Sequence, residues 1–365
     1  MNYLKQISIV LAVICVSACM QKHYDEAEYM VFDDVKIVSD FKEIAVLSQE
    51  NGEEITYSKP NIKNFIVTDS VLIIDTGMES GISNVISTVD YSDIGSFFDK
   101  GKAFGEFLLG IDLGLRSTLA LTDDSLKLIA CDYVLGKVYS INLSKFIATG
   151  EKEIKEPYAG MELPRPIFWL KAMNDTSVIV RTLEDNETRE VRYLISENGA
   201  KEIDAFSRLN RFQVPSGEDF NIMSSLMALS PDREICVEPL VGLNYINVYS
   251  PFGTKAFTIS VDKEPYSLSE ITKIDKADRP YVFADVRAHN FGFAVLKYGV
   301  TDREFQEDID YKPSILLFDW NGNPLGEVKS EFKFNHFDID EAKGELYVLD
   351  ADGKLLKYPL QIPGL

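Results

Sequence analysis

The chain has 365 residues, 45 per cent of them hydrophobic and 26 per cent charged, with 58 acids against 37 Lys and Arg and a net charge of -21. An acidic surface of that size repels phosphates, which argues against nucleic acid or anionic headgroups as partners and favours neutral or cationic ones. Four cysteines and three histidines are too few for a dense disulfide framework or a histidine-rich metal centre.

In chain order, the first element is a lone Lys5 followed by an apolar run from Ile7 to Val16 and the ending Ser17-Ala18-Cys19. This is the pattern of a lipoprotein signal peptide over residues 1–18. Small side chains fit the processing site, and the Cys19 thiol is the nucleophile that accepts a diacylglycerol. So short an apolar run cannot cross a hydrocarbon layer of about 30 Å as a helix. The expectation is attachment to a membrane through lipid; an ordinary buried helix, or a signal cleaved without lipidation, is the plainer alternative. Residues 19–30 are polar and acidic and are expected to form a flexible tether. Cys131 and Cys236 lie in apolar strand-like runs and are expected to be buried and reduced.

Residues 31–365 are expected to be one folded body. Short β-rich runs alternate with polar turns, and the same turn recurs near Asp69, Asp123, Asn174, Pro231, His289 and Glu341, at intervals of 51 to 58 residues. Six copies of a four-strand unit predict an all-β, six-bladed β-propeller; the spacing is too short for a stack of sandwich domains of about 100 residues each. The last copy reaches only its third strand, Leu355 to Leu360. The segment from Phe32 to Leu47 precedes the first copy without a blade of its own. It is therefore expected to supply the outer strand of the final blade and close the ring.

A lipobox followed directly by such a repeat resembles the TolB-like six-bladed β-propeller lipoproteins of Gram-negative bacteria. The stretch Gly101-Lys102-Ala103-Phe104-Gly105-Glu106-Phe107 is similar to a Gly-x-Gly-Pro-Gly-Glu-Phe signature that those proteins often carry between the first two blades. The match rests on Gly101, Gly105, Glu106 and Phe107, with Ala103 and Phe104 in place of the central Gly-Pro. The resemblance implies a lipid-anchored propeller of the outer membrane with no established catalytic site.

Candidate site residues come from two places. Asp285, Arg287 and His289 alternate along the expected channel strand of the fifth blade, which puts them on one face. The insertion 299–313 carries Asp302, Arg303, Glu304, Glu307, Asp308 and Asp310 with Phe305 and Tyr311 and is expected to be a docking arm, a plain solvated loop being the alternative. Acids recur at the ends of the second strands, at Asp75, Asp132, Glu184, Glu238 and Asp350, with Tyr298 in the fifth copy. They are expected to shape their own turns; ringed about the channel mouth they would instead offer calcium its oxygen ligands. No phosphate loop, zinc-spaced cysteine pair or catalytic triad is evident, so no catalytic residue and no cofactor is assigned beyond that calcium alternative. The expected function is a non-catalytic binding or assembly module for an envelope protein, peptide or glycan. The alternative is a metal- and carboxylate-dependent propeller enzyme of lyase or lactonase type.

Overall fold

A computed structural model describes residues 23–364 apart from 58–60, 123–124, 186 and 254. The signal segment and Cys19 lie outside the described residues.

Each repeat folds into its own small sheet, and six such sheets stand about a common axis. In every sheet the first strand of the repeat lies at one edge and faces the axis: Asn64–Val67, Ser117–Thr122, Trp169–Asn174, Ala228–Leu229, Pro280–Ala288 and Phe334–Asp340. Middle strands are covered on both faces by neighbouring blades and are therefore buried on both, mostly with apolar residues and, in blades 3 and 4, with polar ones that pair with each other. All five residues of Val71–Asp75 are buried, as are all five of Tyr245–Tyr249. The cores lie between blades. Phe65, Leu72, Ile74 and Ile86 of the first blade pack on Tyr347, Leu349 and Leu355 of the last, so the two ends of the repeat series meet.

The ring is closed by the N-terminal chain, as expected, but with different residues and a longer path. Val35–Val38 pairs in parallel with the outer strand of blade 4, from Val35 opposite Thr258 to Val38 opposite Val261. Glu43–Leu47 pairs in parallel with the outer strand of blade 5, Pro324–Ser330. Only Glu53–Glu54 reaches the last blade, where it lies antiparallel to Leu355–Pro359 as the fourth strand. The expectation that 32–47 completes the final blade is thus corrected: that segment edges blades 4 and 5, and the belt reaches the last blade only with Glu53–Glu54. Its start is set by Met30, Val31 and Phe32, which are buried with Phe206, Tyr245 and Tyr249 beside blade 4.

The same burial corrects the flexible tether over the described residues 23–30. Tyr24 is 5 per cent exposed and donates to Glu264 Oε2 (2.6 Å), and the Met30 carbonyl accepts from Asn247 Nδ2 (2.9 Å). The acids in this stretch are fixed too, Glu26 by Arg211 (2.9 Å) and Glu28 by the Ser269 amide (2.9 Å). Polarity here reflects bonding to the ring's edge rather than solvation alone. Among the described residues no helix is long and apolar enough to cross a membrane.

The Gly101 to Phe107 stretch is a crossover between the first two blades. Glu106 Oε2 accepts from the Ala103 amide (2.8 Å), and a Cβ on Gly101 would collide with that carboxylate. Phe107 is buried against Phe98 and Tyr139, with ring centroids 4.7 and 5.6 Å apart. Glycine at 101 and acid at 106 are thus one structural unit that pins the entry to blade 2. Cys131 and Cys236 are free and buried, and burial pushes both thiols up, Cys131 to about 12.

Candidate functional site

Inner strands run alongside one another around the axis, so every second residue of each enters the channel. Blade 5 contributes Asp285, Arg287 and His289, all buried. Arg287 donates from Nη2 to Asp285 Oδ2 (3.0 Å) and to Asn64 Oδ1 (3.0 Å), and from Nε to the Phe337 carbonyl (2.9 Å). One guanidinium therefore ties blades 5, 6 and 1 together. Asp285 also faces His336 Nδ1 at 3.2 Å. Burial pushes the Asp285 carboxyl up, but Arg287 and the His336 ring outweigh it and leave it below the ordinary carboxylate range.

Around these residues lies a cavity of about 300 Å³ with walls from all six blades. Leu119, Met227, Ala228 and Val286 make it largely apolar, and its polar groups are Lys171, Arg287, His289, Asp338 and, at the turn of blade 4, Arg233. Asp285 is not in the wall; it lies behind Arg287. The hairpin residues Leu121, Ser230, Pro231 and His289 place the opening at the end of the channel that carries the first turn of each blade.

Burial sets the protonation of this wall. Lys171 donates from Nζ to the carbonyls of Gly114 and Ser117, and burial lowers it to about 8. Asp338 accepts from the amides of Val67 (2.8 Å) and Ile339 (3.0 Å) and is pushed up to about 6 by burial. His289 stacks on Phe291 with centroids 5.2 Å apart. Asp338 and Glu341 stand 3.6 Å from its two nitrogens, yet burial and then Arg287 push it down to about 3, so the ring is neutral. The folded-state pKa lies below the unfolded one. Stability is then complete above about pH 6.5 and is lost as pH falls toward 3; Asp338 acts with the opposite sign between about 4 and 6. Removing the imidazole with His289→Phe is expected to spare on the order of 2–3 kcal/mol of the stability lost between pH 7 and pH 4. Urea midpoints at both pH values measure it, and equal losses in variant and wild type would refute it.

Phe305 and Tyr311 do not join this cluster. Residues Asp302–Gln306 form a short helix with a capping box between Thr301 and Glu304. It turns Phe305 onto Tyr281 (centroids 4.8 Å apart) and Tyr298 (5.8 Å), while Tyr311 is buried against Tyr298 (5.0 Å). The docking-arm expectation is corrected for Tyr311, whose burial fastens the loop to the body; Phe305 packs on the same rings but stays half-buried. Phe305 and Tyr281 line a second cavity, of about 350 Å³, with Arg279 and Asp302.

The second-strand acids do not share one role. Asp75 accepts from the Gly77 amide, Asp132 from the amides of Val134, Leu135 and Leu108, and Asp350 from those of Asp352 and Lys354. These shape turns. Glu184 pairs with Arg189 (2.9 Å), and Glu238 is fully buried in an ion network between blades 3 and 4. Among the described residues no three His, Cys, Asp or Glu side chains converge as a metal set.

Sequence reasoning missed Lys171, Asp338 and Arg233. A lysine inside the apolar run Trp169-Leu170-Lys171-Ala172-Met173 was a usable signal, since a lone cation in a buried strand needs a reason. Nothing local marks Arg233, which enters the wall only through its turn.

The sequence matches no family model and no curated protein. Among solved structures it is similar to an exported protein of Bacteroides fragilis, at 12 per cent identity and a TM-score of 0.48, over 86 per cent of this chain and 88 per cent of that one. A gluconolactonase of Xanthomonas campestris is similar at 10 per cent identity and a TM-score of 0.43, over 91 and 98 per cent of the two chains. The β-propeller domain of Myceliophteria thermophila Cps50 is similar at 9 per cent and 0.44, over 85 and 100 per cent. Identities this low carry no information about ligand or activity.

Proposed function

We propose that this chain is a binding module of the cell envelope, held at the outer membrane by lipid on Cys19, with the channel cavity as its recognition centre. The observation that carries the reading is the cavity itself: concave, mostly apolar, with a few convergent polar groups and shifted protonation, on a closed ring that holds them rigidly. The partner is an envelope protein, peptide or glycan that places one group in the channel and rests on the surrounding turns. Leu121, on the cavity rim and 69 per cent exposed, marks the contact zone.

A photo-crosslinking residue at Leu121 in the full chain is expected to capture a recurring envelope component that the same residue at Val89 does not. Val89 is 83 per cent exposed on the first blade and does not line the cavity. Identical capture from both positions, or none from Leu121, would sink the reading. Anchoring is tested separately: Cys19→Ser should shift the protein from the membrane to the soluble fraction. A catalytic reading draws on the same wall, because Asp338 near 6 and Lys171 near 8 are in the range that acid–base chemistry uses. It requires the purified protein to turn over a lactone or glycan without a partner.

A further inference from the structure

Two cations of the cavity wall, Lys171 and Arg233, stand without an acidic partner, and beside them one ring nitrogen of His289 makes no hydrogen bond although Asp338 lies 3.6 Å away. Lys171 is 6 per cent exposed, and its ammonium bonds only backbone carbonyls. Among the described residues no carboxylate lies within ion-pairing distance of it. Arg233 Nη1 is buried with no hydrogen-bond partner, and so is His289 Nε2, on a ring that is 8 per cent exposed. All three line the same space.

The other charges there are already matched. Arg287 is neutralised by Asp285, and Asp338 accepts two backbone amides beside Arg287. A buried cation without a counter-charge is costly, and a buried donor without an acceptor costs more than the bond it would make returns. One group of the right charge would satisfy both Lys171 and Arg233. A carboxylate suits them: planar, singly charged, with two oxygens able to accept from a guanidinium and an ammonium together. Phosphate brings a larger and more highly charged group to a chain of net charge -21 and into a mostly apolar cavity.

Resting on the channel reading above, we infer that the cavity is a site for a small organic carboxylate, its oxygens taken by Lys171 and Arg233 and its neighbouring polar atom met by His289. The apolar residues Leu119, Met227 and Val286 then receive the carbon body, and a volume of about 300 Å³ limits that body to a molecule of amino-acid or single-ring size. The carboxylate has two sources, a free small acid or the C-terminal end of a peptide.

Matched acids and amides separate charge recognition from shape. Titration calorimetry of the folded protein at pH 7 with benzoate against benzamide, and N-acetylalanine against N-acetylalaninamide, is expected to show the acids binding at least tenfold more tightly. Arg233→Gln, at a surface turn, should remove most of that preference while leaving the amides unchanged; Lys171→Met should do the same if it folds. Pentapeptides with free or amidated C-termini form the second arm: a preference for the free end that exceeds the small-acid preference identifies a chain terminus as the source, and the reverse identifies a free acid. Equal binding of acids and amides overturns the carboxylate site but leaves the channel reading intact. No binding of either series also overturns it, and Leu121 crosslinking then decides the channel reading independently.

Discussion

Replacing Glu238 by Ala is expected to destabilise the ring by about 3–5 kcal/mol, the cost of breaking a buried ion pair from one side. Glu238 is fully buried between blades 3 and 4 and accepts Arg192 Nε on both oxygens (2.9 Å each), the Ser225 hydroxyl (2.6 Å) and the Tyr249 hydroxyl (2.8 Å). Arg192 also meets Glu190 (3.3 Å), which in turn meets Arg181 (2.5 Å). Two cations and two anions cancel inside a buried interface. Losing the Glu238 carboxylate leaves two buried guanidinium groups to share Glu190 alone.

Burial pushes the Glu238 carboxyl up, but Arg192, the Ser225 hydroxyl and Arg181 pull it below the ordinary range. Its contribution is therefore complete above the unfolded pKa and disappears as pH falls through the folded one. Replacing Arg192 and Glu238 together by Leu should recover much of the loss, because the desolvation cost leaves with the pair. Denaturant unfolding of the two variants decides the matter. A Glu238→Ala variant within about 1 kcal/mol of wild type would show that the network does not hold these blades together.

The second large effect concerns the belt. A chain lacking residues 23–54 is expected to lose cooperative unfolding altogether, since the outer strands of blades 4 and 5 would become open edges and blade 6 would lack its fourth strand. Point changes grade the effect along the belt. Phe32, 5 per cent exposed and packed on Tyr249 at 5.7 Å between centroids, should cost about 3–5 kcal/mol on change to Ala. Val46, 40 per cent exposed, should cost less than about 1 kcal/mol. Hydrogen exchange then reports where protection is lost. Phe32→Ala should expose Ala256–Val261 first. Uniform loss across all six blades would instead mean that the belt acts only through overall stability.

Local patterns carried the fold a long way. Turn residues recur wherever the chain must reverse, and several middle strands are largely apolar because both faces are covered, so the six-fold repeat and its sheets were legible directly. The missing fourth strand of the last repeat implied that the N-terminal chain closes the ring. Alternation along Tyr281 to Asn290 likewise placed Asp285, Arg287 and His289 together. Each of these follows from neighbours in sequence, and secondary structure converts such spacing into position.

The path of the belt and the make-up of the cavity wall depend on contacts between residues far apart in the chain, for which the local sequence holds no ruler. Residues 24–30 look like a solvated tether until Tyr245, Asn247 and Arg208 supply partners more than 170 residues away. Tyr311 looks like a docking aromatic until Tyr298 buries it, and Phe305 until it packs edge-on against Tyr281. Lys171, Asp338 and Arg233 come from three different blades and meet only because the ring closes. Spacing along one strand decides which face a side chain takes, but which charges are left uncompensated depends on all six blades at once.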